Sequence, residues 1–369
     1  MDWQRNGLLA GMLVVTLLLF NQWLDFSEQR QPALVEQVLL VPNQASASQS
    51  VSVEPVTRPT IAGSDLPEIN RQPVIEQLAE LSSARLVNIE SNLYSAVIDT
   101  YGGDIVQIQL KKHLTKPASK GGQPFTLLTR TEKNTYIAKS GLVGRNATDT
   151  RDGRPQFIVA RDSVDVVSSV EQLDLVTRQQ GVMLTKRFTF SPDSYQIGVE
   201  YLIENLTQAP WSAVFYGQIN RDSHKPLVNA TGVQPYLGAA LRTAEKNYRK
   251  VSFGDMTDEK LEESIQGGWV AMLQHYFIGA WVPDQSATNH FSLRKLAGQD
   301  LYVMGYTSDP IEVAAGQSGS YKTSFYAGPK DQDSLAELAE YLDLTIDYGF
   351  LWMLAKPIFT LIQWIHELV

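Results

Sequence analysis

The chain has 369 residues, with 31 Lys and Arg against 40 Asp and Glu, a formal charge of −9. That balance leaves no basic footprint for nucleic acid, and with no cysteine there are no disulfides, thiolate catalysis or Cys-ligated metal sites. The length allows one large or two ordinary domains with tails, and 15 Tyr, 13 Phe and 7 Trp suit packed sheets.

Gly7 to Phe20 (GLLAGMLVVTLLLF) is an uncharged apolar run set between Trp3 and Trp23. As a helix, Trp3 to Trp23 rises about 31 Å, close to the ~30 Å hydrocarbon thickness of a bilayer. The two indoles then fall at the two interfaces, where amphipathic rings prefer to sit. A cleavable signal peptide is the rival reading, but Asn21, Gln22, Trp23, Leu24 and Asp25 follow the run without a small-residue cleavage site. An uncleaved anchor over 3–24 is therefore expected. Arg5 and the terminal amine, offset by Asp2, give a weak bias to an inside amino terminus.

Residues 25–84 read as a tether. Asn43 to Val53 is small and polar, and Pro32, Pro42, Pro55, Pro59, Pro67 and Pro73 punctuate the region. Pro73 to Ala84 could hold one short helix.

From Leu86 the pattern changes to period two. Tyr94 to Asp99 and Ile105 to Leu110 flank Gly102-Gly103, a hairpin signal. Val182 to Phe190 puts Val182, Leu184, Phe188 and Phe190 on one face, broken only by Lys186. Tyr195 to Ile203 repeats the pattern with Tyr195, Ile197, Val199, Tyr201 and Ile203, and Trp211 to Ile219 with Trp211, Ala213, Phe215 and Ile219. Further strands are expected over 269–273, 277–282, 291–296, 301–306 and 321–327. Such alternation with few helical segments predicts an all-β, antiparallel two-layer body over 85–343. Asp258 to Ile265 (DEKLEESI) reads as a short exposed helix or loop. Ser334 to Leu342 reads as a helix capped by Asp333 or Ser334, with Leu335, Leu338, Ala339 and Leu342 on one face.

The last segment, 348–369, contains FLWMLAKPIFTLIQWIHELV. Lys356, Thr360, Gln363 and Glu367 fall within an arc of roughly 60° on a helix, with His366 at its border. A spanning helix would bury Lys356 and Glu367 at high cost. An interfacial helix leaves that stripe wet, sinks the broad apolar face and places Trp352 and Trp364 at one depth. A helix packed on the β body is the plainer alternative.

Chemistry is sparse. The five histidines, His113, His224, His275, His290 and His366, show no metal-ligand spacing. His275 reads as a core residue; His113 and His224 read as solvated loop residues. G-x-S-x-G is absent, the Gly-Gly pairs fit turns, and Asp99 and Asp104 bracket one of those turns. No catalytic, cofactor or metal residue can be nominated.

Six ordered stretches carry a resemblance: MDWQRN at the start, YGGDI (101–105), PFTLL (124–128), SGLVGR (140–145), GGWVAMLQHYF (267–277) and YAGPK (326–330). LDLTIDYGFLWMLAKPIFTLIQWIH (342–366) completes the set. Together they resemble the YidC family of bacterial inner-membrane insertases. The resemblance implies a large periplasmic β-supersandwich of the galactose-mutarotase type with a helix at its end, then an amphipathic helix on the periplasmic membrane face. It implies a role in insertion, folding and assembly of inner-membrane proteins. The implied partners are the lipid bilayer, nascent membrane proteins and the Sec translocase, including SecF. It also implies that insertion resides in five further membrane helices around a groove holding an arginine. No residue here corresponds to that arginine, so this chain is not expected to insert proteins alone. The competing reading, a membrane-tethered sugar epimerase or sugar-binding protein, would need His224 or His275 in a cleft beside a carboxylate.

Overall fold

In the computed structural model, which describes residues 86–225 and 236–346, the alternating segments become nineteen strands in two sheets. One sheet runs from β14 (Leu261–Gln266) through β17 (Thr288–Lys295), β18 (Tyr302–Val313), β11 (Trp211–Arg221) and β5 (Thr135–Val143). It continues through β4 (Pro124–Arg130), β3 (Asp104–Leu114), β2 (Tyr94–Asp99) and β1 (Leu86–Ser91) to β7 (Ser163–Val166). The other runs from β13 (Arg249–Val251) through β12 (Gly238–Leu241), β15 (Val270–Leu273), β16 (Phe277–Val282) and β19 (Ser318–Pro329). It closes with β10 (Gln196–Asn205), β9 (Val182–Phe190), β8 (Glu171–Gln179) and β6 (Ile158–Val159). Among the named strands only β1 and β7 pair in parallel.

The two-residue period produces the sandwich directly. Leu184, Phe188 and Phe190 of β9 and Ile197, Val199, Tyr201 and Ile203 of β10 are all buried. The larger sheet sends Phe215, Ile219 and Tyr306 toward them; Tyr201 meets Phe215 edge-on at 5.6 Å between centroids. Each such side chain contributes roughly 1.5–3 kcal/mol by leaving water. The all-β body and its alternating faces are as expected.

β15 and β16 are buried on both faces, which is why VAML and FIGAWV carry no alternation. Their outer face is covered by a helix, α2 (Gln332–Leu338). Trp269, Ala271, Leu273, Ile278 and Ala280 pack there against Leu335, Ala339 and Leu342.

Two local expectations are corrected. DEKLEESI is neither helix nor loop: a short helix, α1 (Phe253–Asp258), precedes it, and Leu261–Gln266 is the edge strand β14. Ser252 and Asp255 form a reciprocal cap that fixes α1, after which Leu261 and Ile265 turn onto the core. The later helix is capped by Asp331, not by Asp333 or Ser334, because the Asp331 carboxylate accepts both the N–H and the hydroxyl of Ser334. It ends at Leu338, where Ala339 is extended.

No helix among the described residues is long and apolar enough to cross a membrane. The anchor (3–24), the tether (25–84) and the helix 348–369 lie outside the described residues. With them go Trp3, Trp23, Trp352 and Trp364 and the stripe Lys356, Thr360, Gln363 and Glu367.

Candidate functional site

Among the described residues, a groove of about 310 Å³ lies on the outer face of β14, β17, β18 and β11. Register builds its floor. Tyr216, Thr307, His290 and Ser264 stand in one cross-strand row, and Gln218, Gly305, Ser292 and Glu262 in the next. A bulge adjoins this row: Val214 faces Pro310 and Tyr216 faces Thr307, so Phe215 alone opposes both Ser308 and Asp309. The extra residue re-aims Asp309 along the sheet. His290 Nε2 lies 2.9 Å from Asp309 Oδ1, and its Nδ1 lies 2.8 Å from Ser264 Oγ.

Ser264, His290 and Asp309 form one solvent-facing chain of hydrogen bonds. Hydroxyl, imidazole and carboxylate follow one another as they do in acyl transfer, but His290 and Asp309 are 43% and 64% exposed at their side chains, so water competes for both contacts. Sugar epimerisation needs an acid and a base standing apart, on either side of the ring; these three side chains stand together.

A second constellation is buried. The turn 100–103 joins β2 to β3 with Gly102 and Gly103 both at positive φ (77° and 66°), the conformation that only glycine adopts cheaply. Packed on it is Arg154, 8% exposed at its side chain. Its Nη1 donates to Asp104 Oδ2 at 2.5 Å and its Nε to Asp149 Oδ2 at 3.3 Å. Its Nη2 donates to the carbonyls of Gly102 (3.1 Å) and Ser140 (2.8 Å). Lys186, fully buried on β9, donates to the same two carbonyls at 3.1 and 2.9 Å. Tyr201 adds a third donor to Ser140, and Tyr216 donates to Asp149 Oδ2 at 2.6 Å. Asp149 can lie this close to the sheet only because residue 141 is glycine; a Cβ there would collide with its Oδ2.

The electrostatics follow from burial. Desolvation pushes the Lys186 ammonium down to about 7, against the pull of Asp104 and Asp149. Desolvation also raises the Asp149 carboxyl, and the Arg154 guanidinium beside it works in the opposite sense. Arg154 itself stays charged, held up by Asp104, Tyr216 and Asp149. With every long side chain tied into the core, this cluster is a structural hub joining the turn 100–103, β5 and β9.

The remaining histidines fall elsewhere than expected. His275 is exposed in the β15–β16 turn, edge-on to Tyr276 with centroids 3.9 Å apart, and is not a core residue. The turn puts it outside although its flanks are apolar. His113 is not in a loop: it lies half-buried on β3, edge-on to Phe277 at 5.2 Å, and burial holds it below the usual imidazole value. His224 is exposed, as read. Neither His224 nor His275 has a carboxylate on a ring nitrogen among the described residues, so the arrangement required for an epimerase is not assembled. Asp99 and Asp104 do bracket the turn, each paired to an arginine, Arg130 and Arg154. The hub itself had one sequence signal, the lysine interrupting an otherwise apolar face.

A large antiparallel two-sheet domain with a closed ionic hub and an open surface groove defines the class. The family model described as the YidC periplasmic domain matches residues 86–361, and the chain belongs to that family. A membrane protein insertase YidC of Cellvibrio japonicus is 43% identical over 99% of this chain and 65% of its own length. One of Saccharophagus degradans is 42% identical over 100% of this chain and 66% of its own. The chain thus spans just under two thirds of these relatives. Among solved structures, a galactose mutarotase related enzyme from Lactobacillus acidophilus covers 66% of this chain and 97% of its own. It does so at 10% identity and a TM-score of 0.43, a likeness that carries no functional argument.

Proposed function

We propose that this chain is the anchor and periplasmic portion of a membrane protein insertase of the Gram-negative inner membrane. The observation that carries the reading is the family match over 86–361, together with relatives named membrane protein insertase along the whole chain. In this reading residues 3–24 cross the bilayer from a cytoplasmic amino terminus, 25–84 form the tether, and 85–343 fold in the periplasm. Residues 348–369 lie in the outer interface, with Trp352 and Trp364 at one depth and Lys356, Thr360, Gln363 and Glu367 facing water. Nascent membrane proteins enter lipid through the groove-bearing helices that the family implies, because a groove spares a partly polar segment from hydrocarbon. The periplasmic domain docks and places that machinery against the Sec translocase, SecF included.

Docking has a physical route at the sheet edges. β14, β13, β6 and β7 end their sheets, and an edge strand offers unpaired N–H and C=O groups to another chain. The test is photo-crosslinking in cells from Ser264, Lys250, Ile158 and Asp165, one position per edge. Adducts with Sec components at one edge support the reading; no adduct from any of the four removes the docking role.

A further inference from the structure

Between Asp104 and Glu132 the sequence has no acidic residue, in a chain whose net charge is −9. Four lysines, Lys111, Lys112, Lys116 and Lys120, fall together in this stretch. The fold gathers them on one projection. β2 stops pairing at Tyr94 with Leu110, while β3 runs on and rejoins β4 through Leu114 and Pro124. The intervening tip is well tied. Thr115 and Gln123 exchange two hydrogen bonds, and a single turn at Ala118–Lys120 closes on Gly121 at φ 71°. Its base is braced by His113 against Phe277, on which Phe125 stacks at 4.4 Å.

Lys111 pairs with Glu90 at 2.6 Å. Lys112, Lys116 and Lys120 have no ion pair among the described residues, and all three are exposed. Beside them stand two exposed apolar groups, Leu114 (41%) and Tyr276 (67%). At the same end of the second sheet, Asp331 is spent on capping α2 and Asp193 lies in the β9–β10 turn. Free lysines around an exposed Leu and Tyr fit a phospholipid surface: the ammonium groups meet anionic headgroups and the apolar groups meet the acyl boundary. The rest of the domain is acidic and repelled, so only this end is attracted within a Debye length of about 8–10 Å. The apolar run 7–20 keeps the membrane within reach of the domain, raising the effective concentration of that surface.

We infer that the β3–β4 hairpin, through Lys112, Lys116, Lys120, Leu114 and Tyr276, docks this domain onto the anionic lipid surface. The inference rests on the membrane-anchored reading above but not on insertion activity, since its readout is lipid proximity alone. Three lysines at an anionic surface are worth on the order of a hundredfold in the ratio of docked to undocked domain.

The chain contains no cysteine, so single labels are specific. Full chain carrying an environment-sensitive fluorophore on Ser119→Cys is reconstituted into nanodiscs of phosphatidylcholine, alone or mixed with phosphatidylglycerol. The same is done with Lys133→Cys, at the far end of β4. The expected result is a blue shift and headgroup quenching at Ser119→Cys with phosphatidylglycerol only. High salt abolishes it, the triple change Lys112→Ser, Lys116→Ser, Lys120→Ser abolishes it, and Lys133→Cys never shows it. Equal signals in both lipids, or a signal at Lys133→Cys instead, overturn the inference. Near-ultraviolet circular dichroism of the triple variant reports whether its fold is intact.

Discussion

Two clusters in this domain link a base to carboxylates by contacts of similar length, and they have opposite meanings. Around Arg154 the contacts to Asp104 and Asp149 are 2.5 and 3.3 Å, with both acids at most 6% exposed. At the groove, His290 lies 2.9 Å from Asp309, but the two side chains are 43% and 64% exposed. Contact length does not separate them; water does. A buried charge has no solvent to return to when its partner is removed, whereas an exposed one is rehydrated at once.

The largest effect is therefore expected at Arg154. Arg154→Met leaves Asp104 and Asp149 buried and uncompensated, and Asp104 Oδ1 already has no hydrogen-bond partner among the described residues. A loss of about 3–5 kcal/mol follows, read as a lowered midpoint in urea unfolding. An unchanged midpoint would show that water reaches the cluster and that the contrast with His290 is false.

Lys186 sharpens the comparison, because it is buried without being indispensable. Both carbonyls that it serves, Gly102 and Ser140, also accept from Arg154 Nη2. Lys186→Met keeps most of the volume and orphans neither carbonyl, so the variant is expected within about 1 kcal/mol of the parent at pH 7. The pH dependence carries the sign. In the native protein the ammonium is pushed down to about 7 by burial, while in the unfolded chain it titrates at the ordinary lysine value. Between those values the unfolded state binds the extra proton, so the parent gains stability as pH rises. Below about 7 both states are protonated and the gain is absent. Urea midpoints at pH 7 and pH 9 should rise for the parent relative to Lys186→Met; parallel behaviour would show that Lys186 is not desolvated.

The same contrast explains what could be read in the sequence. Period-two alternation exposes strands wherever one face is wet, and β9, β10 and β11 were legible for that reason. Over β15 and β16, where a helix buries the second face, alternation is lost and short apolar runs alone marked the two strands as expected; the pattern fails where spacing is ambiguous. Leu261 and Ile265 are four apart, which suits one face of a helix and one face of a strand equally, so only tertiary packing decided for β14. The hub was nearly invisible because its members come from three separate segments, Asp104 on β3, Asp149 and Arg154 in the β5–β6 connection and Lys186 on β9, and meet only through the fold. Lys186 in an apolar face was its one trace. Asp309 beside His290 depends on a bulge, and no residue type near Ser308 announces one.

The smallest effect is expected at that bulge. Removing the imidazole by His290→Ala strips the contacts to Ser264 and Asp309, yet both partners can turn to solvent. An exposed pair of this kind is worth about 0–1 kcal/mol and less in high salt. His290→Ala should therefore unfold within about 0.5 kcal/mol of the parent, and Asp309→Asn should match it. The value lies in what a larger loss would mean. A cost above about 1 kcal/mol, insensitive to salt, would require the tie to be shielded from water.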